Sequence, residues 1–154
     1  MAERIAAAPE GAAPRAEDFR RPLEFLFTEH DHQRVMCAAL ARLAEDPAEP
    51  DAGDNARAIL GYLRDRLGHH YGDEEHDLFP LLRLRADPDD GLGAILDLLH
   101  DEHVADDVLL KELLGPLAAI ASGGAPEDVV AFKAAASAYS VLQRRHLAWE
   151  NGTV

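Results

Sequence analysis

The chain has 154 residues, 47% of them hydrophobic but only 6% aromatic, with a formal net charge of -14 at pH 7. That length supports one domain with a sizeable core, and the Ala- and Leu-rich composition favours helices over a β-sandwich. The acidic balance leaves no basic surplus to release counterions, which argues against nucleic acid or an anionic membrane as partner, and the single Cys37 excludes an intrachain disulfide.

In chain order, residues 1–17 read as a loose Ala/Pro tail and 18–154 as the domain. The opening MAERIAAAPEGAAPRAEDF lacks the continuous apolar stretch of a signal peptide, and no run approaches a membrane span, so a cytoplasmic protein is expected. A first helix is expected from an N-cap at Asp18, with Leu23, Leu26, Phe27, Val35, Leu40 and Leu43 at helical spacing until EDPAEPDAGD breaks it. A second starts near Asp54 and carries Ile59, Leu60, Leu63 and Leu67 into HHYGDEEHDLFP, where Pro80 is expected to kink or end it. The third, GAILDLLHDEHVADDVLLKELLGPLAAI, closes at ASGGAP. Glu127 and Asp128 then occupy the first turn of a fourth, where negative charge suits the helix dipole. Four helices with short connections predict an all-α, up-down-up-down four-helix bundle.

The histidines and glutamates repeat across these elements. His70 and Glu74 are four residues apart, on one face of a helix one turn from each other, and His146 and Glu150 repeat that spacing. The first and third helices each carry a Glu-His pair, in TEHDH with His30 and in DEHVA with His103. The separation is 73 residues from His30 to His103 and 76 both from His70 to His146 and from Glu74 to Glu150, so the chain reads as two related hairpins. Depth is an independent check: His30 and His70 each lie about 21 to 23 Å from the turn joining their helices, and His103 and His146 about 27 and 30 Å from theirs. All four histidines can therefore reach one level of the interior.

Two buried carboxylates without compensation are expensive, and metal ions resolve the cost. Four imidazoles and two carboxylates suit iron, zinc or manganese, and no thiolate but Cys37 is present to favour a soft metal. If both glutamates bridge two metals, each metal receives four protein ligands, and a shared water or oxo group makes five. A metal preferring six then keeps an open position.

With EEHDLFP after the first His-x-x-x-Glu site and WENGTV around the second, these residues resemble the hemerythrin-like cation-binding (HHE) domain over roughly residues 20 to 154. The resemblance implies a four-helix bundle holding a non-haem di-iron centre bridged by carboxylates and an oxo or hydroxo group. It implies His30, His70, His103 and His146 as terminal ligands and Glu74 and Glu150 as bridges. Oxygen-carrying hemerythrins have a further His on the third helix and an Asp on the fourth; here the positions four either side of His103 are Leu99 and Asp107. A Glu on both even-numbered helices is more similar to the branch of iron-centre repair proteins, although the cysteine-bearing N-terminal domain carried by some of them is not in this sequence. The chain stops four residues after Glu150, where the first repeat continues with Leu-Phe-Pro, which leaves a truncated form open as an alternative.

The remaining polar residues leave alternatives open. His100 reads as a partly buried structural histidine, with a seventh ligand or proton relay as the alternative. Glu29, Glu102, Asp106 and Asp107 read either as hydrogen-bonding support for the ligands or as surface charges. His32, His69 and His76 are expected to point outward, Cys37 to act as a buried small hydrophobe, and Tyr139 to pack the core. Two functions follow. One is a di-iron protein that binds or reduces O2, NO or peroxide with electrons from an unknown donor, in oxidative or nitrosative stress or iron handling. The other is a non-catalytic O2 or redox sensor, or an iron carrier. A hydrolytic two-metal enzyme fits less well, since neither a Gly-rich loop nor clustered arginines accompany the ligands.

Overall fold

The computed structural model describes residues 21–153. Asp18 lies outside them, and α1 spans Pro22–Glu45 with its proline in the first turn, where a missing N–H costs nothing and the fixed φ suits the helix. The second rod is helical from 52 to 85, in three α segments: α2 (Ala52–Gly61), α3 (Leu67–Asp73) and α4 (Phe79–Arg85). Two π turns, Tyr62–Arg66 and Glu74–Leu78, join them. Pro80 does not end this rod. It falls in the first turn of α4, directly after the second π turn, where the i→i−4 ladder is already interrupted. The Gly72 carbonyl there accepts a hydrogen bond from Nδ1 of the exposed His76 at 2.8 Å.

The third rod is α5 (Leu92–Ala121), which contains Pro116, and the fourth is α6 (Val129–Thr153). Between them, Gly123 takes the left-handed conformation (φ 81°). Its N–H bonds the Ile120 carbonyl and that of Gly124 the Ala119 carbonyl, both at 2.9 Å, the paired closure of a Schellman motif. Asp128 is the cap of α6 rather than part of its first turn, its Oδ1 accepting the Ala131 N–H at 2.9 Å.

The rods form a square in which α1 and α5 each pack against both α6 and the second rod, as alternating up and down helices require. The larger apolar core, with Leu40, Leu43, Ile59, Leu113, Leu117 and Phe132 almost fully buried, fills the end near the loops at 46–51 and 122–128. A smaller cluster of Phe79, Leu96 and Leu99 closes the other end. The inward stripe of α1 differs from the expected one: Leu23, Phe27 and Val35 are exposed, while Leu26, Leu40 and Leu43 are buried. Glu29, His30 and Gln33 occupy the buried positions between Leu26 and Met36. Rotation follows the longer run of apolar contacts toward the loop end, which carries these polar side chains inside with it.

Candidate metal centre

Between the two apolar clusters lies a belt of buried polar side chains from all four rods. His30 comes from α1, His70 from α3, Glu74 from the head of the second π turn, His103 from α5, and His146 and Glu150 from α6; each is at most 7% exposed. The carboxylates divide their oxygens between two histidine pairs. Glu74 Oε1 lies 3.6 Å from His30 Nε2 and 3.4 Å from His70 Nε2, whereas its Oε2 lies 3.4 Å from His103 Nε2. Glu150 turns Oε2 to His30 Nε2 at 3.3 Å and Oε1 to His146 Nε2 at 2.7 Å. The result is two overlapping groups, His30, His70, Glu74 and Glu150, and Glu74, His103, His146 and Glu150, whose donor atoms all lie within 4.8 Å of one another in each group.

Among the described residues, several of these atoms find no hydrogen bond of acceptable geometry: Nε2 of His30 and His70 and all four oxygens of the two glutamates. Buried polar atoms left so are costly, and their convergence is what a cation would satisfy. The second pair gives a further sign. His103 Nδ1 faces Glu75 Oε1 at 2.7 Å and His146 Nδ1 faces Glu102 Oε2 at 3.0 Å, so each outer nitrogen carries the proton. Their Nε2 atoms then meet lone pair to lone pair at 3.0 Å, unless a proton or a cation lies between. Two nitrogen ligands on one ion at about 2.1 Å and right angles are about 3.0 Å apart, so the spacing suits a metal.

The electrostatics express the same tension. Burial pushes the His70 imidazole down to about 4. At His146, burial works against the charge but is outweighed by Glu150, Glu74 and Glu102, and the ring is pushed up to about 9. Burial likewise opposes the charge on His30, which Glu74, Asn151 and Glu150 nonetheless raise. The carboxyls diverge: burial lifts Glu150, while bonds from His103 and His30 overcome burial at Glu74 and hold it low.

A model of the hemerythrin HHE cation-binding domain matches residues 21–154. The chain belongs to this family. No curated protein and no solved structure matches it significantly. Family membership and the paired clusters together make this a hemerythrin-like metal-binding domain whose donors are histidine and glutamate. No helix among the described residues is long and apolar enough to cross a membrane.

The supporting residues are arranged differently from the sequence expectation. Glu102 is buried and holds not its neighbour His103 but His146 across the interface, with Arg145 at 2.7 Å on its other oxygen. Glu29 pairs with Arg66 and approaches His32 at 3.7 Å, so it supports none of the six. Asp107 is exposed, and Asp106, one position earlier, turns inward instead, because 100° of helical rotation separates them. His100 is not partly buried: its side chain is 56% exposed and its Nδ1 meets Glu75 Oε2 at 3.0 Å. His69 and His76 are exposed, His32 is intermediate, and Cys37 and Tyr139 are buried.

Sequence reasoning missed Glu75, Asn151, Tyr71, Gln33 and Gln143. Asn151 Oδ1 faces His30 Nδ1 at 3.1 Å, and its amide donates to the Leu147 carbonyl at 2.6 Å. Tyr71 stacks on His103 with ring centroids 4.0 Å apart and donates its hydroxyl hydrogen to Asp106. Gln143 donates to Asp106 and, at 2.9 Å, to the Tyr71 hydroxyl, while Gln33 donates to the Gln143 carbonyl oxygen. Glu75 beside Glu74, and Asn151 beside Glu150, sit next to proposed ligands, and that adjacency was the available signal.

Proposed function

We propose that the chain holds two iron ions, one with His30 and His70 and the other with His103 and His146, bridged by Glu74 and Glu150, and that it binds or reduces a small molecule such as O2, NO or H2O2. Zinc or manganese suits the same donors and would replace iron by availability. The observation that carries this reading is the division of both carboxylates, each turning one oxygen to each histidine pair. When bound as ferrous ions, the metals supply the electrons and the open coordination positions.

The chain's own residues supply the setting. Four protein donors per ion leave room for an exogenous ligand, and the apolar cap of Phe79, Leu96 and Leu99, backed by Leu78, Leu82 and Ile95, favours small uncharged guests over bulky substrates. Glu75, Glu102 and Asn151 hold the outer imidazole nitrogens, fixing which nitrogen faces the metal. A cytoplasmic setting in oxidative or nitrosative stress, or in iron handling, fits the unpaired Cys37 and calls for a separate electron donor.

The first test is metal identity and number per chain in protein grown with iron and purified without chelator. Two irons per chain are expected, and one loosely held ion or none overturns the reading. Ferrous protein is then exposed separately to O2, NO and H2O2 while its visible spectrum is followed. Turnover with supplied electrons marks a reductase, and full recovery on removing the ligand marks the sensor or carrier alternative.

A further inference from the structure

We propose that the two metal positions are inequivalent: the His103/His146 position is the tighter and fills first, and the His30/His70 position is the weaker. This rests on the two-ion reading above. Facing the ions, the two positions are alike, since each has two Nε2 atoms and one oxygen from each glutamate. The difference lies on the outer nitrogens. His103 and His146 each donate Nδ1–H to a carboxylate, Glu75 and Glu102. Among the described residues, His30 Nδ1 faces only the neutral amide oxygen of Asn151, and no carboxylate makes an ion pair with the Nδ1 of His70.

A carboxylate draws the Nδ1 proton toward itself and makes the opposite nitrogen a stronger donor to a cation, and an amide does so far less. The two carboxylates are also unequal. Glu102 is ion-paired with Arg145 at 2.7 Å, which draws on its charge. Among the described residues, Glu75 has no Lys or Arg partner, its second oxygen meeting the exposed His100 at 3.0 Å. Glu75 is therefore the main positioning residue of the tight position.

The test is calorimetric titration of the metal-free full chain with Zn2+ against a competing chelator, which reads binding with no redox step. Repulsion between two ions would separate the steps even at identical positions, so the variants decide. Glu75→Gln is expected to weaken the first step by up to about 10–100-fold and spare the second, with Glu102→Gln acting in the same direction but less. Asn151→Asp, which gives His30 a carboxylate, is expected to tighten the second step and narrow the gap; it keeps the proposal testable if Glu75→Gln fails to fold. An unchanged first step in Glu75→Gln, or a tightened first step in Asn151→Asp, overturns the inequivalence while leaving two ions per chain. Saturation at fewer than two ions in the unsubstituted protein removes the two-ion reading, and the inequivalence with it.

Discussion

Toward the loop end of the bundle, Leu40, Leu43, Leu113, Leu117 and Phe132 pack in one apolar cluster, and each is at most 1% exposed. Two to five turns further along the same rods, the equally buried positions carry Gln33, Glu74, Asp106, Gln143, His146 and Glu150. Burial stabilises the first region by about 1.5–3 kcal/mol for each large side chain. In the second it carries a cost wherever a polar atom finds no partner, and the unpartnered atoms gather on the two glutamates and on His30 and His70. The apolar end therefore supplies folding free energy that does not depend on metal. The polar end draws on it to hold a preformed donor set, and regains stability only when a cation is bound.

The sharpest challenge to that division is a core truncation. Leu117→Ala is expected to cost about 2–5 kcal/mol in chemical denaturation, by the same amount with and without metal. A loss that depended on metal would show that packing at the apolar end sets the metal affinity of the other. Next is the metal itself: at free metal 100-fold above the dissociation constant of a position, the ion bound there should stabilise the fold by about 2.7 kcal/mol. Chelation should lower the melting temperature of the unsubstituted chain and of His76→Ala fully, and that of His146→Ala, which keeps only the His30/His70 position intact, by clearly less.

A smaller effect probes the boundary. Tyr71→Phe removes a hydroxyl that donates to Asp106 and accepts from Gln143 and should cost about 1–3 kcal/mol. Tyr139→Phe, which removes a hydroxyl that has no partner among the described residues, should be neutral or slightly stabilising. Equal losses would mean that the network contributes nothing beyond packing.

The smallest effect concerns Cys37, on the apolar side. Burial, aided by the charge of Asp106, pushes its thiol up to about 12 from an ordinary value near 9. The folded state then keeps its proton where the unfolded state loses it, so stability is unaffected below about pH 9 and falls as pH rises from about 9 toward 12. Between pH 9 and 10, the unsubstituted chain should lose slightly more stability than Cys37→Ala. At pH 8, iodoacetamide should label Cys37 only after unfolding.

The helical class, the four rods and their alternating direction were legible because apolar spacing and the breaks at EDPAEP, RADPDD and ASGGAP are local signals. The His-x-x-x-Glu spacing likewise puts His70 with Glu74, and His146 with Glu150, on one helix face without reference to any other helix. The two π turns were not legible, since no residue preference marks them, and the second begins at Glu74 itself. The helix carried through Pro80 follows from that turn.

By itself the sequence determined an acidic all-α chain with paired His and Glu positions at matching depths, because helix periodicity and rise depend only on nearby residues. Tertiary structure alone decided the rotation of each rod about its axis. That rotation buries Asp106 and exposes Asp107, sends Glu102 across to His146, brings Asn151 to His30 and divides the oxygens of Glu74 and Glu150 between two histidine pairs. The physical reason is that rotation is set by the summed packing of all four rods, a long-range balance to which no single stretch of chain has access.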